Sequence, residues 1–129
     1  MEGEARSASC VLHAVTEPRA ACRSTAGVLA AILACVRLHQ QRNAGSGRLS
    51  KVVLPLNVHK SAINALVLSG ADPIFVTPLY DQQLDVCHGV PIDGPGGLAE
   101  AIAKHSAQGE LAAVVMVSPT YHGVMSDVG

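Results

Sequence analysis

The chain has 129 residues, nine Lys+Arg against ten Asp+Glu and a formal net charge of −1, which is the size of one domain. Apolar residues make up 49% of it, enough for a core, yet only Phe75, Tyr80 and Tyr121 are aromatic against 19 alanines. No nucleic-acid partner is expected, because such a partner calls for a basic footprint and for rings on which bases stack.

A membrane partner fails on length. The longest apolar run, Ala26 to Val36, is eleven residues, and a spanning helix needs roughly 20. The opening Met-Glu-Gly-Glu-Ala-Arg carries two acids where a signal or transit peptide is basic, which points to the cytoplasm. Its Arg and Ser content leaves an organelle address open. Cys10, Cys22, Cys35 and Cys87 show no CxxC spacing, and the six histidines show no HxxxH. Metal and redox sites favour close-spaced ligands, so no metal is expected and the cysteines read as buried or half-buried thiols in a reducing compartment.

Residues 1–22 form a poorly defined segment, in which Ser9 to Thr16 fits a short strand or a helical lead-in equally. Ser24-Thr25 followed by Ala-Gly-Val-Leu-Ala-Ala-Ile-Leu-Ala-Cys-Val-Arg-Leu reads as a helix with a hydroxyl N-cap. Its apolar residues run nearly all round, which predicts a buried helix ending near Asn43-Ala-Gly-Ser-Gly. Lys51 to Pro55 is a continuous apolar run of the parallel-strand type. His59 to Leu68 reads as a helix closed by Ser69-Gly70, and Pro73 to Pro78 as a second buried strand. Leu79 to Pro95 reads as a loop, Gly97 to Ala107 as a helix and Leu111 to Val117 as a third strand. This alternation predicts an α/β fold of three layers, a mostly parallel sheet with helices on both faces.

Ligands of open α/β sheets bind beyond the carboxyl ends of the strands. Those ends fall at Leu54 to Ser61, Thr77 to Asp81 and Ser118 to Gly123, all rich in hydroxyl, imidazole and amide groups. The start of the helix at Ser24-Thr25-Ala26-Gly27 offers orphan N–H groups and a positive dipole end, which suits a phosphate as well as an ordinary cap. His59 reads as a catalyst or as a satisfied structural residue, Lys60 as an amine or an exposed helix-start lysine. Tyr121 and His122 read as acid/base groups or as loop residues facing a partner. No P-loop, GxGxxG or Ser-His-Asp pattern is present.

Four motifs stand in order: Ser24-Thr25-Ala26-Gly27, Asn57-Val58-His59-Lys60-Ser61, Leu68-Ser69-Gly70-Ala71-Asp72-Pro73 and Ser118-Pro119-Thr120-Tyr121-His122-Gly123. Together they resemble the major domain of the Orn/Lys/Arg decarboxylase family over about residues 23 to 128. The resemblance implies a pyridoxal-phosphate-dependent lyase of polyamine metabolism with the aspartate-aminotransferase-like, fold type I architecture. Residues 23–129 would then be part of the cofactor-binding major domain, with a basic amino acid as substrate and a dimer as the full-length assembly. Ser24, Thr25 and Ala26 would hold the cofactor phosphate. His59 would be the catalytic residue on the face of the pyridine ring, and Ser118 and Thr120 would lie beside cofactor or substrate.

The family's imine-forming lysine belongs to a downstream Ser-x-His-Lys segment, and the aspartate on the pyridine nitrogen also lies downstream. Neither segment occurs in this sequence. The chain departs from the family pattern at Cys22-Arg23, where a Gly is usual, at Leu56, where an Arg is common, and across residues 1–22, which lack the family's Pro-Gly-His-Lys opening. Two functions follow as expectations. One is the phosphate cradle and ring-stacking wall of a basic amino-acid decarboxylase; the other is a non-catalytic, truncated homologue acting as an interaction module.

Overall fold

The computed structural model describes residues 10–14 and 21–125. The strands are β1 (Cys10–Ala14), β2 (Lys51–Pro55), β3 (Asp72–Val76), β4 (Tyr80–Asp81), β5 (Val86–Cys87) and β6 (Leu111–Val117). The helices are α1 (Ala21–Arg42), α2 (Lys60–Ser69) and α3 (Leu98–Ala107). Four strands form one sheet in the order β1-β6-β2-β3, and every pairing in it is parallel.

β2 is the centre of the fold. Val52, Val53 and Leu54 are fully buried, and their side chains alternate between two apolar clusters. Val52 and Leu54 join Ile32, Val36, Ala65 and Leu66 under α1 and α2. Val53 joins Val114, Leu98 and Ile102 under α3. A strand covered on both faces cannot alternate apolar with polar, and this explains the continuous apolar run. Helices therefore cover both faces of a parallel sheet, as the alternation of elements predicts. At its start β6 carries one extra residue, Ala112, because Lys51 opposes Leu111 while Val52 already opposes Ala113.

The ends of the helices follow local chemistry. α2 stops at Gly70, whose φ of 68° lies in the left-handed region that glycine enters without a Cβ penalty, and its N–H donates to the Leu66 carbonyl at 3.0 Å. α3 starts at Gly97, where a Cβ would lie 2.8 Å from the Ile92 carbonyl oxygen. The Leu98 and Ala99 N–H groups donate to the Pro91 and Ile92 carbonyls.

Four expectations need correction. The strand reading of Ser9–Thr16 prevails over a helical lead-in, with β1 confined to Cys10–Ala14 and its flanks outside the described residues. α1 is buried along one face only, with Ile32, Cys35 and Val36 inside and Ala30, Ala34, Arg37 and Leu38 exposed. β3 lies at the sheet edge and exposes Asp72, Pro73 and Phe75, a place where a residue without an N–H is tolerated. The segment from Leu79 to Pro95 contains the β4–β5 hairpin. Asp81 makes it by accepting the N–H groups of Gln83 and Leu84, and Asp85 adopts a positive φ of 54°. Among the described residues no helix is long and apolar enough to cross a membrane.

The central place of β2 sets a stability contrast. Leu54→Ala is expected to cost about 2–5 kcal/mol in urea unfolding, whereas Val67→Ala, at a position of α2 that is 76% exposed, stays within about 0.5 kcal/mol.

Candidate functional site

In a parallel sheet all strands point the same way, so the segments leaving β2, β3 and β6 emerge at one end. The segment from Leu56 to His59 follows β2, and the Leu56 N–H ties it to the end of β3 through the Val76 carbonyl at 3.1 Å. The segment from Ser118 to Val124 follows β6, the neighbour of β2. The start of α1 follows β1 on the far side of β6. The three groups of predicted site residues thus share the carboxyl end of the sheet, with Ser118 and Thr120 just past the middle strand of the three.

His59 is the N-cap of α2. Its Nδ1 accepts the Ser61 N–H at 3.2 Å and lies 2.9 Å from the Ser61 hydroxyl. The ring is exposed and Ser61 beneath it is buried. Lys60 is exposed at the first position of the helix. Thr120 is buried, and its Oγ1 accepts the Val124 N–H at 3.1 Å while its own N–H donates to the Val124 carbonyl at 2.8 Å. That pair of bonds closes the loop that carries Tyr121, which is 99% exposed, and His122, whose ring meets it edge-on at 5.5 Å. Ser118 is half-buried at the mouth of this loop.

The phosphate cradle read at Ser24-Thr25-Ala26 takes a different form. α1 begins at Ala21, one turn before the hydroxyls, because Ala21, Cys22 and Arg23 continue the helix towards its amino end. Only the first four N–H groups of a helix lack an intrahelical acceptor. The N–H groups of Ser24, Thr25 and Ala26 therefore lie past the orphan set and are spent inside the helix. Thr25 offers its exposed hydroxyl and Ala26 an exposed methyl. At α3 the corresponding donors are occupied by the Pro91 and Ile92 carbonyls.

Polar groups at the other end of the sheet are engaged with one another. His39 bridges the Ser50 hydroxyl at 2.9 Å and the Gly109 carbonyl at 3.0 Å; in the neutral ring Nε2 donates to the carbonyl and Nδ1 accepts from Ser50. Lys51 pairs with Glu110. The Lys51 hydrogen bond holds the Glu110 carboxyl below its ordinary range. His105, in the last turn of α3, is buried with Nδ1 unpartnered. Burial first, then the charges of Lys51 and Lys104, hold it below the usual histidine range against the opposing pull of Glu110. These contacts bridge α1, β2, α3 and β6, across separations that no local pattern in the sequence marks. A cleft of about 330 Å³ between α1 and α2, lined by Leu33, Val36, Arg37, Gln40, Leu68 and Ser69, also lies away from the strand ends. It is roughly 13 Å along α2 from His59 at 1.5 Å rise per residue.

A sequence model described as the Orn/Lys/Arg decarboxylase major domain matches residues 34–129. The chain belongs to the Orn/Lys/Arg decarboxylase family. It is 38% identical over 79 residues to an arginine decarboxylase of Bacillus subtilis, 36% over 78 residues to one of Bacillus anthracis and 35% over 79 residues to one of Halalkalibacterium halodurans. Each stretch covers 60% of this chain, and the chain spans about 15% of the length of the curated relatives it matches. The family match includes His59, Ser118 and Thr120 but begins ten residues after Ser24.

The distal cluster sets a direction for acid sensitivity. His105 sits below its ordinary value of 6.5 in the folded chain, so unfolded chains take up its proton first as the pH falls. Stability to urea is expected to decline from about pH 6.5 downward, and Glu110, held below 4.5, extends the decline further into acid. His105→Gln should flatten the first part of that decline; an unchanged profile would remove His105 as its source.

Proposed function

We propose that the carboxyl end of this sheet is part of the pyridoxal-phosphate site of a basic amino-acid decarboxylase with the fold type I architecture. The observation that carries the reading is the exposed imidazole of His59, anchored at Nδ1 and offered at the strand ends within the stretch that matches the family. The donor set suits the group. An anchored flat ring can lie against the pyridine face, worth about 0.5–1.5 kcal/mol for an aromatic pair. The exposed hydroxyl of Thr25, flanked by Ser24 and Ala26 one turn into α1, would meet the phosphate at the positive end of that helix, with Ser118 beside the cofactor or substrate. Thr120 would hold the Ser118–Val124 loop in place through its bonds to Val124.

Bound pyridoxal phosphate supplies an electron-accepting ring to an α-amino acid that is losing its carboxylate. The contribution of this chain is binding and orientation. The arginine decarboxylases named above favour a guanidinium-bearing substrate within the lysine, arginine and ornithine class. A second reading, a non-catalytic homologue that pairs with another subunit, is favoured by the exposed Val67 and Leu68 on α2 and Phe75 on the edge strand β3.

Titration of the purified chain with pyridoxal phosphate, followed by absorbance and by borohydride reduction with peptide mapping, separates the two. Saturable binding with no labelled lysine is expected, weakened about 2- to 10-fold by His59→Ala. Labelling of Lys60 would show a self-contained amine and contradict the assignment. No saturable binding would leave the interaction reading in its place.

A further inference from the structure

N-caps are usually Ser, Thr, Asp or Asn, whose short side chains reach the orphan N–H groups directly. In α2 the cap is a histidine, and two donors from one residue converge on its Nδ1. The Ser61 N–H approaches to 3.2 Å and the Ser61 hydroxyl to 2.9 Å. A ring nitrogen that accepts an N–H carries no proton of its own, so the neutral ring is protonated at Nε2 and the hydroxyl also donates to Nδ1.

The cap alone needs only the backbone bond. The added hydroxyl comes from a side chain that is 2% exposed, held at the foot of α2 beside Ala62 and Ala65 in the core. The backbone bond fixes the tautomer, and the buried, immobile hydroxyl limits rotation of the ring about its Cβ–Cγ bond. His59 itself stands in solvent, where an unrestrained ring would sample several rotamers.

We propose that Ser61 is a positioning residue for His59: its buried hydroxyl fixes the imidazole in one plane, with Nδ1 turned inward and Nε2–H outward towards a ligand. The proposal rests on the reading of His59 as the ring-facing residue. It extends that reading by naming the group that sets the orientation before any ligand arrives. A ring already held in its binding orientation loses less freedom when a flat ligand stacks on it.

The test is two-bond proton–nitrogen NMR of the imidazoles in the full chain, on wild type, Ser61→Ala and Ser61→Thr. Wild type is expected to show Nδ1 as an unprotonated acceptor and Nε2 protonated. Ser61→Ala keeps the backbone N–H on Nδ1 and with it the Nε2–H tautomer, but should free the ring to sample several rotamers. These are read from side-chain couplings and NOEs in the same samples, and Ser61→Thr should restore the single rotamer. A helix that merely lost stability would instead release Nδ1 from the backbone N–H and mix the two tautomers. Pyridoxal phosphate should bind about 2- to 10-fold more weakly to Ser61→Ala, the equivalent of one hydrogen bond. An Nδ1–H tautomer in the wild type overturns the proposal without any variant, and so does a Ser61→Ala ring that stays in the single wild-type rotamer. A wild-type ring in one rotamer that is lost in Ser61→Ala, together with no binding of cofactor, supports the hold of Ser61 on His59 and overturns the cofactor reading.

Discussion

Everything in this chain depends on β2 pairing in parallel on both sides while both of its faces are buried. Val52, Val53 and Leu54 are inaccessible, and β6 and β3 run alongside in the same direction. Parallel neighbours cannot be joined by tight turns, so each connection has to recross a face of the sheet as a helix or a longer excursion. The consequence is geometric. All strand exits fall at one end, and segments far apart in sequence (His59, Ser118, Thr120 and the start of α1) are delivered to one side of the molecule.

The two ends of the sheet use polar residues in opposite ways. At the amino end, His39, Ser50, Lys51, Glu110 and the Gly109 carbonyl satisfy one another across α1, β2 and β6. Such contacts spend their hydrogen-bonding capacity on the fold. At the carboxyl end the backbone is tied down just as firmly, by Leu56 to Val76, Ser61 to His59 and Thr120 to Val124. Yet the hydroxyl of Thr25 and the rings of His59, Tyr121 and His122 face solvent. Rigid support under exposed polar groups is the arrangement that binding sites need.

Much of this was legible in the amino-acid sequence, for identifiable reasons. β2 and β6 could be bounded because burial on both faces leaves an unbroken apolar run with polar ends. α2 could be bounded because Gly70 supplies the left-handed residue that ends it. The β4–β5 hairpin escaped because two-residue strands carry no periodicity; its one local signal is Asp81, whose carboxylate caps two N–H groups of the turn. The start of α1 was misplaced because Ser24-Thr25 has the chemistry of an N-cap, while the Ala21-Cys22-Arg23 turn before it is equally able to be helical. Exposure of one α1 face was hidden by small residues, since Ala30 and Ala34 are apolar in composition yet sit on the outside. The distal network could not be foreseen, as His39 and Gly109 meet only through the packing of α1 against β6. The family resemblance was carried by motifs of which Asn57–Ser61 and Ser118–Gly123 stand at strand exits and Leu68–Pro73 joins α2 to β3, and the match over residues 34–129 includes these three.

The most direct test of the central claim is a residue-by-residue map of amide and imidazole NMR shifts as pyridoxal phosphate is added to the chain. The account predicts saturable changes gathered at residues 24–26, 57–61 and 118–124, with the distal network of His39, Ser50 and Gly109 unmoved. Changes confined to the cleft between α1 and α2, or spread without saturation over the lysines, would contradict it.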